Sequence, residues 1–494
     1  MLRTIGSVIS LVILMVACGG GGGTSGGGTG GGASSPPPPP SATYTVGGTV
    51  SGLAGSGLAL AICRQTPWPG GGYYRGPRGP HYTCDSPRQF SANGAFTLGG
   101  AYPAMYSGPD FVEVTQQPAW PQQCVVGNAT INIQNANDTS IAVSCADYNE
   151  YSYVTNAADN TLSAYTVDVP TGALAVLGTP IATGMSPSAI VQVGRFVFVA
   201  NEGSNDISAF AVDNTTGALT AVPGSPFAAG TDPKAMAVAT PVDGGYNLYV
   251  ANAGSDTVSA YTIDANTGAL TPMSPATIAT DKGPTSIVVD SNLGYAFVAN
   301  NGGSNDISAF SIGGTGALIP VPGSPFPAGG NPLSLEFGAG GKFLYTANPD
   351  ATNPSISGFS IDPTTGALSP VSGSPFPLPV SHYMAIEQTG IQTGSNPIRG
   401  YLYVTTDANI VGYAFDWTTG ALTALPGFPV AVGANAYSVS IEGNQFLYVA
   451  NEGAANISGF TLDLLTGALT PMTGSPFPAG NHPEFLARLF LSPF

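Results

Sequence analysis

Beyond Glu150 the chain is written in short apolar runs of about five or six residues, separated by turns rich in Gly, Asn and Asp. The runs come in pairs: YSYVTN with LSAYTVD, FVFVAN with ISAFAVD, LYVAN with VSAYTID, and so on to FLYVAN with ISGFTLD. Aromatic and β-branched residues crowd both members, so each pair predicts two adjoining antiparallel strands. The tetrapeptide TGAL follows each pair, at Thr171, Thr216, Thr267, Thr315, Thr365, Thr419 and Thr466, with a period of 45 to 54 residues. Next comes a further β-rich segment introduced by Gly-x-x-Pro or a relative of it, such as Pro187-Ser188-Ala189-Ile190-Val191 or Pro284-Thr285-Ser286-Ile287-Val288.

Four strands in each of seven units predict a seven-bladed β-propeller over residues 148–494. A single blade shows apolar faces to both neighbours and cannot bury them alone, so the blades must bury one another in a closed ring. The first unit lacks a preceding Gly-x-x-Pro strand, whereas the chain ends with one, Glu484 to Leu491. That last strand is expected to complete the first blade.

Residues 43–147 also alternate in the β manner, through TYTVGGTVSGL, GLALAIC, QFSANGAFTL, FVEVTQQ and TSIAVSC, with a hairpin signal at Ala92-Asn93-Gly94. The fold class read from the whole chain is all-β, a seven-bladed propeller preceded by a small β-sandwich-like module. The module holds Cys63, Cys84, Cys124 and Cys145, an even set that implies two disulfides in one of three connectivities. Cys63–Cys84 with Cys124–Cys145 is favoured, since each pair brackets one local loop. No Cys-x-x-Cys occurs, which argues against zinc. The loop between the first two cysteines gathers Arg64, Trp68, Tyr73, Tyr74, Arg75, Arg78, His81 and Tyr82. Such a basic, aromatic patch suits a carbohydrate ring or an acidic partner such as the propeller itself, although a disulfide-closed surface loop with no ligand is the preferred reading.

Residues 1–17 carry Arg3, an apolar stretch from Val8 to Val16, and Ala17 just before Cys18, which reads as a signal peptide too short to span a bilayer. Residues 18–42 are a tether of Gly, Ser and Thr closed by the run Pro36 to Pro40. The segment resembles bacterial lipoprotein signals, with Met15 where that pattern prefers Leu. The resemblance implies acylation of Cys18 and, with Gly19 rather than Asp after it, an outer-membrane anchor facing periplasm or cell surface.

The net charge of −17 is unevenly placed: residues before Tyr148 carry five basic and five acidic groups, the remainder six and 23. Such a propeller repels phosphate backbones and anionic lipid headgroups, so nucleic acid is excluded as a partner and the membrane is expected to be met only through the lipid. The propeller is expected to be monomeric.

LYVAN, TGAL, GSPF and Gly-x-x-Pro in seven repeats resemble the lactonase-type propellers related to 6-phosphogluconolactonase, and Tyr153-Val154-Thr155-Asn156 is similar to the YVTN-repeat propellers of surface proteins. The sandwich segments and their two late cysteines also resemble a module that precedes propellers in other bacterial lipoproteins, which supports the Cys124–Cys145 pairing and a spacer or adhesion role. The lactonase resemblance implies catalysis at one mouth of the channel, by Arg and His placed after the Gly-x-x-Pro proline. Here Ser188, Lys234, Thr285 and Leu333 follow Pro187, Pro233, Pro284 and Pro332, so that Arg-His pattern is missing. In the fifth unit His382-Tyr383 stands in the proline's place, in the sixth Ala436-Tyr437, and the seventh reads His482-Pro483-Glu484.

The polar candidates near the mouth are therefore Lys234, His382, His482 and Glu484, with Glu387 or Glu442 as an orienting partner for His382. A phosphorylated substrate needs several fixed cations, which three arginines and three lysines in the propeller do not readily supply. The recurrent Asn156, Asn201, Asn252, Asn300, Asn348 and Asn451 are explained by turn preference. The Ser-Asn-Asp runs at Ser204 and Ser304 offer too few oxygens for Ca²⁺, so no metal or cofactor is expected. The leading expectation is a lipid-anchored propeller of the cell envelope that binds a protein or glycan. A lactone hydrolase and a surface adhesion component are the alternatives.

Overall fold

The computed structural model describes residues 43–65, 82–103, 111–118, 122–131, 137–147, 149–240, 245–350, 352–378, 383–391, 399–443 and 445–491. Cys18 and the tether, the patch of Trp68, Tyr73, Tyr74, Arg75, Arg78 and His81, and His382 lie outside these residues.

The N-terminal module is a sandwich of two sheets. In one sheet Thr43–Ser51 pairs antiparallel with Gly94–Pro103 and parallel with Asp138–Asp147, which in turn pairs with Gln122–Gly127. The other is built on Leu58–Gln65, flanked by Tyr82–Cys84, Arg88–Phe90 and Phe111–Gln116. Alternate residues of both sheets meet in one core, with Val46, Val50, Phe96, Leu98, Ile141 and Val143 facing Leu58, Leu60, Ile62 and Val112. Both disulfides form as expected, Cys63–Cys84 and Cys124–Cys145. Each joins residues directly opposite on paired strands, with Cα atoms 4.0 Å apart.

Each propeller blade runs outward from an innermost strand begun by the Gly-x-x-Pro proline or its replacement. In the second blade Pro187–Val193 pairs with Phe196–Asn201, then Asp206–Val212, then Leu219–Ala221. The phenylalanine of GSPF adds a two-residue strand, Phe227–Ala228, beside the third. The second strand is buried throughout because both of its faces are covered by neighbouring blades, which is why it reads as an unbroken apolar run.

The innermost strands of blades two to seven, Pro187–Val193, Pro233–Ala239, Pro284–Asp290, Ser334–Gly338, Met384–Ile391 and Ala436–Glu442, follow one another around the channel. The circle is completed by Pro483–Leu491, which pairs with Asn149–Asn156 as the innermost strand of the first blade. The expected closure by the last strand is therefore what the fold uses. Asn481 secures the junction by donating from its backbone and side chain to the Asp159 carboxylate, at 2.7 and 2.9 Å.

Seven apolar clusters fill the ring, each drawn from two consecutive blades. TGAL is a clasp between blades. Its glycine takes a positive φ and packs beneath an aromatic ring of the preceding blade, as Gly268 (φ +74°) does against Phe196. Where the preceding blade has Tyr in its second strand, the hydroxyl donates to that glycine's carbonyl: Tyr153 to Gly217, Tyr249 to Gly316, Tyr345 to Gly420 and Tyr403 to Gly467, at 2.6 to 2.8 Å. The same bond from Tyr448 to Gly172, at 2.5 Å, crosses the point of closure.

The asparagines at the ends of the second strands prove to be fully buried cross-links rather than turn residues. Asn252 Nδ2 donates to Ser259 Oγ at 3.0 Å on the third strand, while Asn252 Oδ1 accepts the N–H of Gly230 at 3.1 Å. Asn201 donates to Asp206 and Ser208, at 2.7 and 2.9 Å, which accounts for the acid of its Ser-Asn-Asp run.

Candidate functional site at the channel mouth

The inner strands bring the residues after each proline to one end of the channel, yet several of them are already committed to holding the ring. Ser188 donates to the carbonyl of Pro233 at 2.6 Å and Thr285 to that of Pro332 at 3.2 Å, each tying one inner strand to the next. Ser438 likewise donates to the carbonyl of Glu484. Ala436, not the pair Ala436-Tyr437, occupies the proline's place, since it pairs with Asn451 as Pro233 pairs with Asn252. Tyr437 therefore stands where Lys234 and Glu484 stand in their own blades.

Lys234 and Glu484 are brought into one electrostatic cluster. Lys234 Nζ lies 2.6 Å from Glu202 Oε1 and 3.4 Å from Asp232 Oδ1. Partial burial opposes its charge, but the Glu202 hydrogen bond and charge, joined by those of Asp232, prevail and raise its pKa. Lys234 is thus held charged and already neutralised by two carboxylates. Glu484 has the opposite problem: burial, then the charges of Glu202 and Glu452, push its carboxyl up to about 8, with Lys234 pulling the other way. His482 does not join the mouth as a lone base, because its Nδ1 is 2.7 Å from Glu452 Oε1. Glu387 is buried in the inner strand of the sixth blade, where it pairs in register with Tyr401.

Beside this cluster stand three aromatic rings from three successive blades, which the repeat pattern did not single out. Tyr383 and Tyr437 have ring centroids 5.0 Å apart, and Phe485 meets Tyr383 edge-on at 5.0 Å and Tyr437 edge-on at 5.7 Å. The two tyrosine hydroxyls lie 3.5 Å apart. Burial raises both phenols, Tyr383 to about 12, so both remain protonated hydrogen-bond donors at neutral pH. The single sequence clue was the occurrence of Tyr and Phe one or two residues past the proline position only in these blades.

Below the mouth the channel opens into a cavity of about 280 Å³, walled by Ile190, Met236, Ile287, Leu335, Met384 and Val439. One further ionisable group reaches it: Glu336, on the inner strand of the fifth blade. Enclosure by protein pushes the Glu336 carboxyl up to about 8. It is the fourth residue after Pro332, where the corresponding positions after Pro187, Pro233, Pro284, Ala436 and Pro483 hold Val191, Ala237, Val288, Ser440 and Ala487. That lone acid among small and apolar residues was the available signal.

In the sandwich module Glu113 sits beside Cys63 and Cys84. Both sulfurs are joined to each other there, so the trio is not a cation site.

A closed ring of four-stranded sheets around a central channel defines a β-propeller. The lactonase, 7-bladed beta-propeller family model matches residues 122–231, 146–278 and 245–383, and the chain belongs to that family. No curated protein matches the sequence. Among solved structures, a candidate 6-phosphogluconolactonase of Bacteroides uniformis is 18% identical, with a TM-score of 0.56 over 69% of this chain and 99% of that one. The periplasmic gluconolactonase of Pseudomonas aeruginosa is 18% identical, with a TM-score of 0.52 over 70% of this chain and 99% of that one. A Lactobacillus plantarum protein is 17% identical, with a TM-score of 0.52 over 69% and 99%. These likenesses establish the fold. No helix among the described residues is long and apolar enough to cross a membrane.

Proposed function

We propose that this protein is an extracytoplasmic binding propeller of the cell envelope, anchored by a lipid on Cys18, whose channel mouth holds an uncharged, hydroxyl-rich ring such as that of a glycan. The observation that carries this reading is the pairing of Tyr383, Tyr437 and Phe485 with a carboxyl-rich cluster in which the lysine is already neutralised. Aromatic rings accept the apolar face of a sugar, while phenols, a protonated Glu484 and the flanking carboxylates offer donors and acceptors for its hydroxyls. An anionic ligand would meet Glu202, Asp232, Glu452 and Glu484, while Lys234 is already paired with the first two. The two disulfides support an oxidising compartment, and the Gly/Pro-rich tether supports display away from the anchor.

Calorimetric titration of the purified protein with glucose, maltose, gluconate and 6-phosphogluconate tests the mouth. Binding of the neutral sugars, at least tenfold tighter than the two anions and lost in Tyr383→Ala, is expected. Preference for either anion, or no binding by any member, overturns the proposal. Labelling of cells with radioactive palmitate tests the anchor: the label should vanish in Cys18→Ser, and its persistence refutes lipidation there.

A second reading, hydrolysis of an unphosphorylated sugar lactone, is favoured by family membership together with the carboxyl of Glu484. In its ionised form Glu484 would take a proton from water as the water oxygen bonds to the lactone carbonyl, after which the ring C–O bond breaks and the alkoxide recovers the proton. A pH-stat assay on glucono-δ-lactone separates the readings. Turnover above the spontaneous rate that is lost in Glu484→Gln or His382→Ala establishes the hydrolase, and its absence leaves binding alone.

A further inference from the structure

The channel cavity is chemically unlike the mouth above it. Its walls include aliphatic and thioether side chains contributed by six blades, and four small hydroxyls, Thr285, Ser286, Ser334 and Ser438, lie among them. Ser286 accepts the N–H of Leu335 at 3.1 Å and is engaged in the wall. Glu336 is different, because its carboxyl makes no hydrogen bond or ion pair among the described residues, and its side chain is half-buried and lines the cavity. A carboxyl that is partly removed from water and has no protein partner loses hydration that a bound cation or donor would replace. The other charged group lining the cavity is Lys234, which is turned to Glu202 and Asp232 and does not reach Glu336 as a partner.

Charge along the route points the same way. A solute entering past the mouth passes a cluster of four carboxyls, Glu202, Asp232, Glu452 and Glu484, whose acidic groups outnumber the one lysine among them, and then the faces of Tyr383 and Phe485, which favour a cation. The cavity volume of about 280 Å³ accommodates an apolar body of benzene size with a short polar arm, since about 150 Å³ suffices for benzene itself.

We propose that the channel cavity is a binding site for a small organic monocation, an apolar body bearing one protonated amine, with the amine seated on the carboxylate of Glu336. The site adjoins the sugar-binding mouth, with Tyr383 and Phe485 lining both, and its occupancy does not require that a sugar be bound.

Benzylamine, benzyl alcohol and benzoate form the test series, because they share shape and differ in charge. In wild-type protein at pH 7.5, titration calorimetry should give benzylamine about tenfold or more tighter than benzyl alcohol, the value of one charge-assisted hydrogen bond, and no heat for benzoate. Glu336→Gln should bring benzylamine to the level of benzyl alcohol while glucose binding stays in place and the protein still melts in a cooperative transition. Equal binding of the amine and the alcohol in wild type overturns the proposal without reliance on any variant. Tight amine binding that survives in Glu336→Gln refutes the assignment to this carboxylate.

Discussion

Closure of the ring by its last strand makes the segment after Asn481 the most consequential stretch of the propeller. Pro483–Leu491 contributes seven Cα pairings with Asn149–Asn156 and places Leu489, fully buried, among Tyr151, Ile190, Val197 and Phe210. Truncating one leucine of this kind to alanine costs about 3 kcal/mol, the middle of the range for a well-packed core. With an unfolding entropy of about 2.1 cal/mol/K per residue over the ~340 residues of the ring, that is a fall in melting temperature of about 4 °C for Leu489→Ala, provided the ring melts as one unit. Removing the whole segment forfeits several net backbone hydrogen bonds of about 1 kcal/mol each as well as the leucine. The sum is on the order of 10 kcal/mol, comparable to the full stability of a domain. Scanning calorimetry of the wild type, Leu489→Ala and a chain ending at Asn481 is the assay. A small shift in the point variant and loss of the sharp propeller transition in the truncated chain are expected. A truncated protein that melts at the wild-type temperature with the wild-type width refutes ring closure.

The remaining predictions concern charge, the blade clasp and the sandwich. Glu336 and Glu484 both hold pKa values of about 8, above the 4.3 of an unfolded chain, so the folded ring binds more protons between those limits. Their contribution to stability is greatest below about pH 4 and is lost as pH rises toward 8. The melting temperature should decline from pH 5 to 8 and flatten in Glu336→Gln with Glu484→Gln. An undiminished slope in that double variant would contradict the assignment. The aspartates with lowered pKa, Asp213, Asp264, Asp362 and Asp463, act in the opposite sense but at lower pH. Gly268→Ala places a Cβ 2.5 Å from the Phe196 ring at a positive φ, and should destabilise the ring by more than about 2 kcal/mol in chemical denaturation. Replacing Cys124 and Cys145 by Ser opens a cross-link spanning 21 residues and should lower the stability of the sandwich by about 3 kcal/mol, with the propeller transition unmoved.

Much of the architecture was legible because it is repeated. Seven TGAL tetrapeptides, the paired apolar runs and the missing first inner strand together specify blade number and the manner of closure, since a strand that needs cover on both faces leaves an unbroken apolar signature. The physical job of TGAL was not legible: the glycine carbonyl that receives the hydroxyl of Tyr249 or Tyr448 lies about 65 residues downstream in one case and on the far side of the closure in the other. The asparagines were assigned to turns for the same reason, since their serine partners sit across a strand pair. The mouth was half readable. Lys234 and Glu484 stood out as charges after a proline, whereas their mutual influence, the capture of Lys234 by Glu202 and the grouping of Tyr383, Tyr437 and Phe485 depend on which blades adjoin around the closed ring. Glu336 lies two residues deeper along its strand than the positions directly behind the prolines, and only the closed ring shows that both levels line one cavity.

The measurement that bears most directly on the function is a crystal structure of the full-length mature protein with maltose. A sugar ring packed on Tyr383 and Phe485, with its hydroxyls hydrogen-bonded to Glu484 at the mouth, is expected. Maltose seated only on the outer rim of the propeller or on the sandwich module, with the aromatic trio unoccupied, would contradict it.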